Sequence, residues 1–208
     1  MGSGAFCLLA SSVAGSAISN QTPEPGQPWI DRIAIEYRIR HEILANRPRR
    51  LLLLHFVPWL SPVVLVIAAL VIAALALWRG HLRWALTFGA AAFTAPLVRI
   101  VLKPLINRQV PPATGAGALT FPSGHLSILG AVLMALFLVT NGTGALFRTM
   151  CAVMLVAIAV GFGVVFTLTG NHFATDCIGG LLVGACVVNG ADLASEAFEE
   201  WSLKRRGG

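Results

Sequence analysis

Formal charge is absent from long stretches of this chain. None falls between Leu51 and Trp78, and the runs Trp84–Val98, Leu126–Phe147, Thr149–Asn171 and Cys177–Ala191 are likewise uncharged. A helix needs roughly 17–25 mostly apolar residues to cross a bilayer. Three of these runs reach that length as they stand. Trp84–Val98 reaches it when extended through Arg99 to Leu102. The last reaches it when begun near Phe173, which puts Asp176 in its first turn. The pattern predicts spans near 53–78, 84–103, 124–141, 149–169 and 173–194. Gly4–Ile18 is a sixth candidate, short and diluted by Ser and Gly. A signal peptide is its rival, since Val13 to Ala17 resembles a small-residue cleavage region, but a basic leading segment is missing. The fold class expected is all-α, a polytopic integral membrane bundle of five to six transmembrane helices.

Between the spans the pattern changes. Trp29, Ile30, Ile33, Tyr37 and Ile43 recur near helical spacing beside Arg38, Arg40, Arg47, Arg49 and Arg50. Residues 28–47 therefore read as an amphipathic helix lying on the membrane surface, with a solvated connector as the competing account. The 104–122 connection holds Pro104, Pro111, Pro112 and Pro122 with Gly115 and Gly117, so it is not helical throughout. The sequon-like Asn141-Gly142-Thr143 reads as a turn. The organisation expected is an N-terminal segment (1–50), a helical membrane core (51–195) and a basic C-terminal tail (196–208), with no internal repeat.

Composition sharpens this picture. Of 208 residues, 56% are hydrophobic and 12% charged, with mean hydropathy +0.78. A soluble domain carries about 25% charged residues. The net charge of +6 would suggest nucleic acid in a soluble protein. Here the cations lie between spans, so anionic membrane lipid is the expected partner and nucleic acid is not. Cys7, Cys151, Cys177 and Cys186 all lie in or near apolar runs and show no metal spacing, so they read as buried free thiols.

Alternating spans put Lys103, Arg108, Ser123, His125, His172 and Asp176 on one membrane face. Ionisable groups at membrane depth are costly and mark function by default. Asp176 is the one carboxylate between Glu42 and Asp192, and it follows His172 by four residues. On a helix that spacing shares a face, and a carboxylate accepting from one imidazole nitrogen raises the basicity of the other. A structural pair capping a helix start is the competing account. Pro122-Ser123-Gly124-His125 reads as a capped helix start. Its unpaired N–H groups suit an anion such as phosphate, and Gly124 permits close backbone approach. Lys103 and, four residues earlier, Arg99 could line a phosphate pocket with Arg108, although snorkelling also explains such a lysine.

Lys103, PSGH and His-x3-Asp, in this order between these spans, resemble the type 2 phosphatidic acid phosphatase superfamily. The resemblance covers about residues 51–194 in layout and 103–176 in motifs. It implies a six-helix fold acting on lipid phosphates, with no metal and no other cofactor. It implies that Lys103, Ser123 and the Gly124 N–H bind phosphate, that His125 is the general acid, that His172 is the nucleophile and that Asp176 orients it. Two arginines of the family pattern are missing: Val110 and Phe166 stand in their slots. Arg108 and Arg99 are candidate replacements, and Asn171 is a candidate hydrogen-bond donor. The Thr-Gly-Asn-His form before Asp176 also resembles a divergent branch that includes inositol-phosphoceramide-synthase-like phosphotransferases. The expected function is hydrolysis of a lipid phosphate (polyprenyl phosphate, phosphatidate or phosphatidylglycerophosphate type) in a bacterial cell (inner) membrane. The alternatives are transfer to an acceptor alcohol and a non-catalytic lipid-binding or transport role. Basic residues lean slightly toward a cytoplasmic active face.

Overall fold

The structure is a computed structural model that describes residues 26–40, 61–107, 119–168 and 172–206. The described elements are α1 (Trp29–Arg40), α2 (Pro62–Trp78), α3 (Leu82–Leu97), a π-turn (Val98–Leu102), α4 (Lys103–Ile106), α5 (Gly124–Val139), α6 (Ala145–Leu168) and α7 (Ala174–Arg206). No strand is present among the described residues. Two helices, α6 and α7, are long and apolar enough to cross a membrane; α2 and α5 are shorter apolar helices. The candidate span at Gly4–Ile18 and the first residues of the 53–78 span lie outside the described residues.

Local chemistry sets the helix ends. Pro62 opens α2 at a position where its missing N–H is no loss. Gly80, at φ +79°, closes α2. Its N–H donates to the Leu77 carbonyl and that of His81 to Ala76, so the last carbonyls of an apolar helix are satisfied. The expected turn at Asn141–Thr143 joins α5 to α6, with Gly142 at φ +90°. α7 continues through Arg206, so the tail's cations Lys204, Arg205 and Arg206 ride on a helix.

α2, α3, α5 and α7 form the core. Ala69, Phe88, Ala91, Ala92, Ile128, Ala131, Val132, Ala135 and Val188 are buried together. Most are small, which allows the close backbone approach that association of apolar helices requires where hydrophobic exclusion from water gives no drive. Many of the large apolar residues point outward instead. Val63, Ile67, Leu70 and Val71 on α2, and Met150, Val153, Val156 and Val160 on α6, are all exposed.

The closest contact is between α5 and α7. A Cβ on Gly180 would lie 2.6 Å from the Ser123 carbonyl oxygen, and one on Gly130 would lie 2.6 Å from that of Leu181. A Cβ on Gly184 would collide with the Ser127 oxygen and the Ala131 nitrogen. About 24 Å along α7 from Asp176, at a helical rise of 1.5 Å per residue, Asp192 accepts two 2.6 Å hydrogen bonds from the Arg83 guanidinium of α3. This bidentate pair fixes α3 against α7 at the end away from Asp176.

Gly184→Ala is expected to destabilise the bundle by about 1–3 kcal/mol, because the methyl meets backbone rather than a movable side chain. Gly190→Ala, where nothing lies within 4 Å, is expected to be neutral or to stabilise by up to ~1 kcal/mol. Denaturation of both variants in detergent, followed by tryptophan fluorescence, checks the contrast.

Candidate functional site

Two helix starts meet at one end of the bundle. Ser123 is the N-cap of α5; it is fully buried, and its Oγ accepts the Leu126 N–H at 3.4 Å. The Ser127 hydroxyl donates to the Ser123 carbonyl at 2.7 Å. The Ser123 N–H donates to the Asp176 carbonyl at 3.0 Å, which ties this start to the first turn of α7. Beside Gly124, a Cβ would find nothing within 4 Å, so the backbone there is open to close approach.

α7 begins with a capping arrangement made from two sources. Asp176, at the third helical position, reaches back so that its Oδ2 accepts the Phe173 N–H at 3.2 Å. Phe173 stands where an N-cap side chain would accept an N–H, and a benzyl group accepts none. Asp31 of α1 supplies that acceptor. Its Oδ1 takes the Thr175 N–H at 3.0 Å and its Oδ2 takes the Thr175 hydroxyl at 2.7 Å. Asp31 is fully buried. The helix dipole favours both carboxylates at this end. The fold thus adds to Asp176 a second acid, brought in from 144 positions before Thr175.

His172 and His125 face each other across this junction, ring centroids 6.3 Å apart. His172 Nδ1 lies 3.8 Å from Asp176 Oδ2. That is beyond hydrogen-bond length, and Nδ1 is buried with no hydrogen-bond partner among the described residues. Phe166, in the slot where the family pattern has arginine, is buried against both imidazoles. Its ring centroid is 5.1 Å from His125 and 6.2 Å from His172. It packs with Leu126, Leu129 and Cys177. The sequence marks Phe166 as a missing cation; the structure makes it the apolar wall of the histidine pair.

Lys103 arrives through an irregular turn. Pro104 has no N–H to return to the Ile100 carbonyl, and its ring crowds that oxygen. The helix widens into the π-turn instead, and the Lys103 N–H donates to Val98, five residues back. Adding one residue to a turn rotates everything after it by about 100°. The Lys103 ammonium donates to the Leu119 carbonyl at 2.9 Å, just ahead of the Ser123 start. Arg99 lies within the π-turn, so the regular four-residue register with Lys103 is broken there. The Arg99 side chain, and residues Arg108, Val110 and Asn171, lie outside what the structure describes. Lys103, Ser123, Gly124, His125, His172 and Asp176 are therefore the expected residues that the fold gathers. No group of His, Cys, Asp and Glu able to hold a metal ion occurs among the described residues.

The sequence model of the PAP2 superfamily matches residues 84–195, just over half of the chain. The chain belongs to this type 2 phosphatidic acid phosphatase superfamily, whose members are phosphatases acting on phosphorylated lipids or small molecules. Neither the curated proteins nor the solved structures contain a match to it.

Asp31 is the residue that reading the sequence missed. The surface-helix pattern emphasised Trp29, Ile30, Ile33 and Tyr37, yet the positions of α1 buried in the protein are Asp31 and Ile35, one turn apart. The segment also holds Glu36 and Glu42, so nothing in its sequence sets Asp31 apart from the other acids. Phe166→Ala is expected to cost about 3–5 kcal/mol, as for other buried phenylalanines. Thermal denaturation of the purified variant in detergent measures it.

Proposed function

We propose that the protein hydrolyses the phosphate ester of a lipid through a phosphohistidine intermediate. The observation that carries this reading is the meeting of His125 with the His172–Asp176 pair above two helix starts. Two imidazoles supply a nucleophile and a proton carrier. Helix starts supply N–H donors for the phosphate oxygens, where charge resides in phosphoryl transfer.

His172 turns Nδ1 toward Asp176, which leaves Nε2 for phosphorus. In the first step the Nε2–phosphorus bond forms and the bond to the lipid oxygen breaks. Protonated His125 gives its proton to that oxygen, and the lipid alcohol departs. In the second step water attacks phosphorus, its proton passes to His125, the nitrogen–phosphorus bond breaks and inorganic phosphate leaves. Both imidazoles are restored. Lys103, the Gly124 N–H and the Ser123 hydroxyl hold the equatorial oxygens, with Arg108, Arg99 and Asn171 assigned to the same task from the sequence. Ser123 Oγ accepts from Leu126, and a hydroxyl that accepts one bond still has its proton to donate. The 3.8 Å separation of His172 and Asp176 suits a site that tightens when the substrate arrives.

Two observations support a lipid as the ester. The outward faces of α2 and α6 are apolar, which suits a hydrocarbon surround. An apolar cleft of about 550 Å³ runs between α1, α6 and α7. Thr167, Ala174 and Cys177 line it, next in sequence to Phe166 and around Asp176.

Purified protein incubated with polyprenyl phosphate, phosphatidate and phosphatidylglycerophosphate is expected to release inorganic phosphate from at least one, equally well with chelator present. His172→Ala is expected to abolish release and the acid-labile phosphoenzyme. His125→Ala is expected to lower kcat by about 10²–10⁴-fold, the usual contribution of a positioned proton donor. Full turnover in His172→Ala would refute the phosphohistidine route. A phosphorylated product on an added alcohol, with no free phosphate, would replace hydrolysis by transfer.

A further inference from the structure

We infer that Asp31 is a positioning residue for the His172–Asp176 pair, delivered to the site by α1; this rests on the proposed function. The start of α7 lacks a cap side chain of its own. An N-cap side chain normally accepts the N–H of the second or third helical residue. Phe173 holds that position, and Thr175 is the second residue of α7. The start of a helix carries N–H groups that its own turns do not satisfy, and helix ends that lack caps fray.

Asp31 meets the need with both of its oxygens, one on the Thr175 N–H and one on its hydroxyl. The two bonds define both the distance and the rotation of the first turn. A carboxylate bonded to one donor could swivel; one bonded to two groups of the same residue cannot without losing a bond. Asp176 follows Thr175 directly, and its backbone carbonyl accepts the Ser123 N–H. The Asp31 bonds therefore propagate along one covalent link to the carboxylate beside His172, and along one hydrogen bond to the start of α5 that carries His125. Asp31 is buried with no exposed surface, so solvent has little route by which to replace it. Its helix precedes the segment that the family model matches.

The function of such a residue is to hold the nucleophile and its partner against His125. Misplacement of reacting groups by about 1 Å can cost 10²-fold in rate even when the altered residue is remote from the chemistry. Asp31 is not itself one of the proposed phosphate ligands Lys103, Ser123, Gly124, Arg108, Arg99 and Asn171, so its loss is expected to act on rate more than on substrate binding.

The test uses the full chain in detergent, with dioctanoyl phosphatidate and para-nitrophenyl phosphate as probes. Asp31→Ala is expected to lower kcat by about 10²-fold with little change in KM, and to speed amide exchange at residues 173–177. Asp31→Asn keeps an oxygen that can accept the Thr175 N–H, and it is expected to recover most of the rate and the protection. Near-normal kcat in Asp31→Ala overturns the inference. So does an Asp31→Asn variant as impaired as Asp31→Ala, or a rate loss matched wholly by loss of folded protein in tryptophan fluorescence. If the unaltered protein turns over neither these probes nor the longer lipids, the phosphatase reading falls. Amide exchange then decides by itself whether Asp31 holds the helix start.

Discussion

The site exists because α5 and α7 touch backbone to backbone. Gly130, Gly180 and Gly184 remove the side chains that would hold the two helices apart. At that separation the Ser123 N–H reaches the Asp176 carbonyl, and two helix starts join into one surface. The two histidines and Asp176 depend on this approach. His125 sits on one start, His172 and Asp176 at the other, and Phe166 lies beside both rings. A single methyl in the interface would act on the chemistry through geometry alone.

The opposite end is held differently. Arg83 and Asp192 form a bidentate ion pair there, part-buried and far from the histidines. The bundle is thus fixed by close glycine packing along its length and by charge at one end. At the site end two buried carboxylates, Asp176 and Asp31 of α1, serve one helix start, and each accepts a backbone N–H there. Asp176 both caps its own helix and faces His172, so the structural and chemical accounts of that pair describe one arrangement. The helix needs an acceptor at this position, and the acceptor stands where an imidazole can use it.

Much of this was legible in the sequence for a physical reason. Uncharged runs of bilayer length announce helices, and α2, α3, α5, α6 and α7 fall within or over the expected spans. Ser123 reads as a cap from the proline and glycine around it. His172 and Asp176 read as a pair from their spacing. Asp31 did not, because its role comes from packing between segments 144 positions apart, and periodicity within α1 pointed to a different face. Phe166 was noticed as an absence, whereas its contribution is a ring packed on two imidazoles. The shared face assigned to Arg99 and Lys103 assumed a regular helix, and Pro104 shows why that assumption fails.

The π-turn before Lys103 bears on how such a site can change over time. The direction of that lysine depends on the number of residues in one turn, which Pro104 holds at one more than an α-helix uses. Most substitutions along α3 alter the size or charge of a side chain and leave the end of the helix where it is. Loss of Pro104, or gain or loss of a single residue, can turn it. The aim of this cation is therefore open to insertion and deletion in discrete steps of about 100°, while His125 on α5 and His172 just ahead of α7 lie on other segments and stay where they are.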